Sequence, residues 1–215
     1  MRDKWGVVFH YTKDNNHDTV AMTETWLKSD DNRINASGFK LIYFPRQGCR
    51  GGIVGLLYKQ TIYVSEKIDE SAPSLEAFSV YVKTEKTSFR FILTYRIIPG
   101  GKGPRRTAFH VDFAKLIDKY VSKAGSLLIA GDLNMHGDNC CPEQRELKDL
   151  LESTNLKQWL NATTHENGPI IDLVIIRDDD TFINATIFRK KFSDHGSFHT
   201  DIKASKPYLP KVKRL

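Results

Sequence analysis

The first residues that suggest chemistry follow a short apolar run in the second half of the sequence. The run Leu127–Ala130 has the length and composition of a buried strand, and it leads through Gly131 to Asp132 and Asn134. Side chains two positions apart leave a strand on the same side, so this carboxylate and this amide would point into the same space. Such a pair suits holding a metal-bound phosphate or an attacking water, although Asp, Asn and Gly are also ordinary turn residues.

Further polar side chains stand at the ends of, or inside, other β-rich runs. They are Glu24 after the run 19–22, Tyr95 at the end of the run 89–95, Asp172 within the run 170–176, and Asp194 with His195 before a last run to residue 202. Burying a lone carboxylate such as Asp172 is costly unless a cation or hydrogen-bond donors meet it. We expect the acidic residues, Asn134 and His195 to converge on one cleft, because strand ends scattered over the chain can meet at one place. Tyr95, which stands beside arginines, could contact a phosphate, but such a Tyr is more often a half-buried core residue.

The chemistry of this set favours a hard divalent cation. Oxygen ligands without paired cysteines or closely spaced histidines suit Mg²⁺ or Mn²⁺, with a phosphodiester completing the coordination shell. The three cysteines, Cys49, Cys140 and Cys141, lack the spacing of a zinc site and are odd in number. His195 could exchange a proton or stabilise negative charge, with Asp172 or Asp194 fixing its ring.

Composition and length set the class of protein. The 215 residues fit one domain, and a net charge of +6 favours an anionic partner such as nucleic acid. We expect a domain over residues 1–202 and a basic, unpacked tail over 203–215. The N-terminus lacks a secretion signal and no apolar run is long enough to cross a bilayer, so we expect an intracellular monomer without membrane contact.

Basic residues cluster in a Gly/Pro-rich loop and again after the run that ends at Phe188. The loop contains Arg96, Lys102, Arg105 and Arg106, and the second cluster is 189–191. These residues are weak candidates for nucleic-acid contacts, because most charge runs are solvated faces.

The remaining pattern predicts alternating strands and a few helices. We expect helical structure near Trp5, a hairpin or bent strand over 53–64, and an antiparallel hairpin over 78–95 with one solvated face. Two amphipathic helices are predicted, one from Thr107 towards Gly125 and one opening at Pro142. Two late strands, over 182–188 and up to Ile202, complete the pattern.

Five ordered motifs give this sequence a recognisable relationship. They are TETWL at 23–27, TYR at 94–96, AGDLN at 130–134, THENGPIIDLVI at 164–175 and SDH at 193–195. Over residues 19–202 the sequence resembles the endonuclease/exonuclease/phosphatase superfamily, and most of all the apurinic-type endonuclease domain of LINE-like, non-LTR retrotransposons. The resemblance implies an α/β fold: a four-layer sandwich of two mostly antiparallel sheets flanked by helices.

The resemblance also implies roles. Glu24 and Asp194 would serve the metal, and Asp132 would orient or deprotonate the attacking water. Asn134 and Tyr95 would hold the scissile phosphate, and His195 paired with Asp172 would stabilise the transition state. The implied reaction is Mg²⁺-dependent hydrolysis of one DNA strand, in the nucleus if genomic DNA is the substrate. It leaves a 3′-hydroxyl that an associated reverse transcriptase could extend.

One departure from the family pattern concerns the start of the chain. Family members begin with a strand ending in an Asn that shares metal and phosphate binding, whereas here the sequence starts inside the helix that follows it. Asn15 and Asn16 lie just before the Glu24 strand, which is the wrong place. The alternative expectation is therefore a weak or inactive, nucleic-acid-binding remnant of such a domain.

Overall fold

The computed structural model describes most of the chain. The described residues are 5–25, 27, 37–44, 54–85, 87–97, 106–135, 142–159 and 172–178, with the backbone alone for 106–107, 183–188 and 197–202. The basic tail 203–215 lies outside them, so its lack of packed structure stays a prediction. No helix in these ranges is long and apolar enough to cross a bilayer.

Within the described residues, three helices and twelve strands follow one another in an order that agrees with most of the predicted elements. The helices are α1 (Trp5–Asp14), α2 (Arg106–Val121) and α3 (Pro142–Ser153). The strands are β1 (Thr19–Met22), β2 (Phe39–Tyr43), β3 (Gly55–Lys59), β4 (Tyr63–Val64), β5 (Ile68–Asp69), β6 (Leu75–Lys83), β7 (Ser88–Arg96), β8 (Ser126–Asp132), β9 (Leu156–Gln158), β10 (Asp172–Arg177), β11 (Ile183–Phe188) and β12 (Ser197–Ile202).

These elements form four layers. Sheet I has the order β1-β3-β2, and sheet II has the order β4-β6-β7-β8-β10-β9 with β5 also paired to β6. Helix α1 packs on the outer face of sheet I, and α2 and α3 pack on the outer face of sheet II. The inner faces of the two sheets meet in a third apolar cluster. The four-layer sandwich of mostly antiparallel sheets is therefore confirmed, and β11 and β12 form a separate antiparallel pair.

Two predictions about the strands were wrong, one about pairing and one about exposure to solvent. The run 53–64 is neither a hairpin nor one bent strand: β3 joins sheet I between β1 and β2, a turn follows at 60–62, and β4 joins sheet II beside β6. The hairpin of β6 and β7 is present, but it has no solvated face over most of its length. Residues of these strands alternate between the helix-side cluster and the inter-sheet cluster, so both faces are buried. Local alternation could not reveal that a second sheet covers the other face.

Strands β7 and β8 run parallel, joined by a crossover through α2, whereas their other pairings in sheet II are antiparallel. Thr94 lies beside Gly131 in this pair. A Cβ at residue 131 would stand 1.7 Å from the Thr94 carbonyl oxygen, and the backbone there has a φ of +154°. The close approach of the two strands therefore depends on glycine at this position.

We expect Gly131→Ala to unfold the protein at much lower denaturant than the wild type. A methyl group there must push β7 and β8 apart, beyond the roughly 1–3 kcal/mol that an unfavourable backbone conformation alone costs. Gly38→Ala is the matched control, since Gly38 has a φ of +86° but open space around it. Equal losses of unfolding free energy in the two variants would contradict the steric explanation.

Arg177, the last residue of β10, ties sheet II to the end of α2. Its guanidinium donates to the carbonyl oxygens of Val121 and Gly125, each at 2.9 Å, and to that of Lys123 at 2.6 Å. These bonds satisfy carbonyls that have no partner within the helix, and the positive charge complements the helix dipole.

We expect Arg177→Lys to lower the free energy of unfolding by about 1.5–3 kcal/mol, because one ammonium cannot replace a planar fork that serves several carbonyls. Urea denaturation measures the change. The control is Lys115→Ala, a substitution on the exposed face of α2. An unfolding midpoint for Arg177→Lys equal to that of the control would show that the bonds from Arg177 to the end of α2 do not contribute to stability.

Candidate active site

Four side chains form a row across the middle of sheet II, on the face turned towards sheet I. Glu76 of β6 is opposite Tyr95 of β7, Tyr95 is beside Asp132 of β8, and Asp132 is opposite Asp172 of β10. Residues in register on neighbouring strands project to the same face and lie within about 5.5 Å. The row continues the inter-sheet cluster, so the apolar layer between the sheets ends in three carboxylates and a phenol.

Glu24 reaches this row from the opposite sheet. It follows β1 of sheet I, and its Oε1 accepts a 2.6 Å hydrogen bond from the phenol of Tyr95. Its backbone has a φ of +50°, a left-handed conformation that is uncommon for a residue other than glycine, asparagine or aspartate. Such backbone strain is common at functional sites, and here it accompanies the bond that joins Glu24 to Tyr95 on the other sheet.

Asp132 and Asn134 hold one another in place. The Asn134 backbone N–H donates to Asp132 Oδ1 at 2.7 Å, and Asn134 also has a left-handed backbone, with a φ of +48°. Its side-chain Nδ2 donates to the Arg96 carbonyl oxygen at 3.0 Å. Asp132 is 2% exposed, so its carboxylate is buried at the cleft floor. The Asx turn thus fixes the amide beside Tyr95.

The phenol of Tyr95 is held in its protonated form. Burial raises the pKa of Tyr95 well above the ordinary value of 10.0, and the hydrogen bond to Glu24, the charge of Glu24 and the charge of Asp132 raise it further. A hydrogen bond from the Asn134 side chain opposes this rise. Tyr95 therefore keeps its one phenolic proton at neutral pH and donates it to Glu24.

The other predicted site residues divide into two groups. Arg96 is described, and it is not part of an exposed basic loop: it ends β7, is 8% exposed and bonds Glu143. It is better explained as a buried ion pair than as a nucleic-acid contact. Arg106 begins α2 rather than ending a loop. Lys102, Arg105, Asp194 and His195 lie outside the described residues, and their roles stay predictions.

Two residues near the site had not been selected from the sequence. Glu76 occupies the same strand face as the apolar Phe78 and Val80, so its charge on an apolar face was an available signal. Glu143 stands in the first turn of α3, where an acidic residue is ordinary for helix reasons alone. Only the tertiary structure shows its ion pair with Arg96.

The donor chemistry at this cleft fits a hard divalent cation. All the acidic groups of the row and Glu24 offer oxygen, the ligand type that Mg²⁺ and Mn²⁺ take. Among the described residues, no three Asp, Glu, His or Cys side chains stand close enough to enclose an ion by themselves. A cation here would therefore take further ligands from elsewhere, such as Asp194, phosphate oxygens or water.

The comparisons with known proteins agree with this architecture. Residues 8–195 match the model of the endonuclease/exonuclease/phosphatase family, so the chain belongs to that family. No curated protein sequence matches it.

Solved structures with the same fold include proteins described as an endonuclease domain and as a 3′ phosphatase. The endonuclease domain of TRAS1, a telomere-specific non-LTR retrotransposon, superposes with a TM-score of 0.69 at 13% identity, covering 93% of this chain and 91% of that one. The humanized TDP2 of D. rerio gives 0.69 at 11% identity over 91% and 89% of the two chains. The 3′ phosphatase NExo from Neisseria, bound to a product DNA hairpin, gives 0.69 at 14% over 93% and 94%. At these identities the likeness shows the fold.

Tyr95→Phe tests the bond between the sheets. We expect it to lower the free energy of unfolding at pH 7 by about 1.5 kcal/mol, because a hydrogen bond to a charged group is lost. Since the folded state binds the phenolic proton more tightly than the unfolded state, the wild type keeps this advantage below about pH 10 and loses it as the pH rises further.

Denaturation of both proteins between about pH 7 and pH 11 measures the difference. Tyr63→Phe, at a ring that is 61% exposed, controls for the general effect of removing a phenol. A Tyr95→Phe deficit that disappears already near pH 8 would contradict the raised pKa.

Proposed function

We propose that this protein is a divalent-metal-dependent DNA endonuclease of retrotransposon origin, which hydrolyses a phosphodiester of one strand and leaves a 3′-hydroxyl. The observation that carries the proposal is the convergence of Tyr95, Asp132 and Asp172 in one row, with Glu24 hydrogen-bonded to it from the other sheet. Residues separated by most of the sequence thus supply one cleft with acids and neutral donors.

Each residue of the cleft has a role that its environment supports. Glu24, together with Asp194, would hold the metal, and a bound divalent ion would neutralise phosphate charge as the transition state forms. Asp132, buried and oriented by the Asn134 backbone, would position or deprotonate the attacking water. In the unbound protein Tyr95 gives its one phenolic proton to Glu24, and the Asn134 amide bonds Tyr95 and the Arg96 carbonyl oxygen. With Glu24 engaged on a metal, the Tyr95 phenol would donate instead to a non-bridging phosphate oxygen, and the Asn134 N–H that now bonds Tyr95 would do the same.

The leaving-group side of the reaction rests on residues at the other end of the row. Asp172 would orient the ring of His195, which would then stabilise the charge of the pentacovalent transition state. A half-buried carboxylate next to Asp132 suits this purpose, because it adds negative charge that favours a cationic imidazole.

DNA is the proposed substrate for two reasons. The net charge of +6 favours a polyanion in spite of the acidic cleft. Two of the similar structures are described as a retrotransposon endonuclease domain and as a phosphatase bound to a DNA hairpin. A reverse transcriptase that extends the new 3′ end, and a nuclear site of action, belong to the same proposal.

A plasmid-nicking assay with Mg²⁺ and with EDTA tests the activity. We expect Asp132→Asn to lower the rate roughly 10²–10³-fold, as when an oriented catalytic group is removed. His195→Ala should act likewise. The matched control is Asp118→Asn, on an exposed position of α2, which should nick like the wild type. Equal nicking by all four proteins would remove the assigned roles.

The kind of product formed, or the absence of cleavage, distinguishes an endonuclease from a binding remnant and from a phosphatase. A nick that a DNA polymerase extends without prior phosphatase treatment carries a 3′-hydroxyl. Binding that weakens steeply with salt, without cleavage, would favour a nucleic-acid-binding remnant. Release of inorganic phosphate from a 3′-phosphorylated hairpin, without nicking of intact plasmid, would favour a phosphatase like the Neisseria relative.

A further inference from the structure

Arg96 bonds two residues, Asn134 and Glu143, that flank the connection between β8 and α3. Its carbonyl oxygen accepts the bond from the Asn134 side chain, at the start of this connection. Its guanidinium bonds Glu143, at the end of the connection and in the first turn of α3. One residue at the end of β7 therefore fixes where the chain leaves the cleft and where it enters the helix.

The ion pair is two-pronged and shielded from solvent. Nη1 and Nη2 face the two carboxylate oxygens of Glu143 at 3.4 and 3.3 Å, and the side chains are only 10% and 16% exposed. The guanidinium also lies over the ring of Phe109, with its Cζ 4.7 Å from the ring centre. Phe109 is fully buried on α2, so one face of the guanidinium is packed while its edge bonds Glu143.

This contact lies on the opposite face of sheet II from the row of Glu76, Tyr95, Asp132 and Asp172. Tyr95 projects into the inter-sheet layer, and the next residue, Arg96, projects towards α2 and α3. The guanidinium therefore cannot itself reach a substrate in the cleft. Its influence passes through its own backbone carbonyl to the Asn134 amide.

We propose that Arg96 and Glu143 are positioning residues, which set the Asn134 amide for contact with the scissile phosphate. This inference rests on the proposed function for its effect on catalysis. Asn134 has a left-handed backbone, and its side-chain amide bonds the carbonyl of residue 96 and the phenol of Tyr95, so a small shift of the end of β7 moves the amide. Supporting groups of this kind change activity without touching the substrate.

Arg96→Lys and Glu143→Gln test the ion pair. Lysine keeps the charge but loses the two-pronged, stacked contact, and glutamine keeps the shape but loses the charge. We expect each to lower kcat for plasmid nicking roughly 10–100-fold, with the larger loss for Arg96→Lys. KM for DNA should stay within about twofold, because the lost contact is to a group that acts in the transition state.

Arg177→Lys is the matched control for these variants. It makes the same substitution at a guanidinium that also serves only protein partners, but at the opposite end of sheet II from the cleft. We expect it to lower stability without lowering kcat at a temperature where all proteins are folded. A kcat of Arg96→Lys equal to that of Arg177→Lys would overturn the proposal.

The side-chain amide of Asn134 supplies a measurement that needs no activity. Its ¹⁵N–¹H₂ resonances are identified as the pair missing from Asn134→Asp, and we expect them to shift markedly in Arg96→Lys but not in Arg177→Lys. Unchanged resonances in Arg96→Lys would refute the positioning. If the wild type cleaves no DNA while these resonances respond as expected, the proposed function fails and the structural coupling stands.

Discussion

The parallel contact between β7 and β8 brings the two central residues of the cleft together. Tyr95 and Asp132 are neighbours only because the strands approach closely enough for residue 131 to have no room for a side chain. The antiparallel pairing to β10 then adds Asp172 beside Asp132. Sheet II therefore determines the positions of these side chains. Both faces of its central strands are packed, and the backbone hydrogen bonds between the strands set the spacing of the residues.

Charge is concentrated where the apolar layer ends. Three carboxylates in the row and a fourth from sheet I are spread along the rim of an otherwise apolar inter-sheet cluster. Like charges at this separation oppose folding, and hydrogen bonds from Tyr95 and the Asn134 backbone offset part of this cost. The unusual backbone of Glu24 adds to the cost. The rim of the inter-sheet cluster is therefore a place where the fold has given up some stability.

Much of this could be predicted from the sequence, and the rest could not for identifiable reasons. Apolar runs ending in Asp132, Asn134 or Glu24 are visible because a strand tip imposes a local pattern, and the family motifs place those residues in order. Partners are not local: β3 and β4, a few residues apart, belong to different sheets. Likewise, Arg96 precedes a basic loop in the sequence, and only its ion pair with Glu143 of α3 shows that it is buried. Glu76 stands opposite Tyr95 only once β6 and β7 are paired.

The hydrogen bond between Glu24 and Tyr95 joins residues 71 positions apart, and the row itself spans three further strands. Contacts of such sequence separation form slowly, because chain entropy must be lost before they are made. On a ribosome, β1 with Glu24 is synthesised long before β10 with Asp172, and the β6–β7 hairpin between them is the local unit that can form first. The assembled cleft is therefore among the last features to appear in a growing chain, so an incomplete polypeptide carries the acidic residues without their geometry.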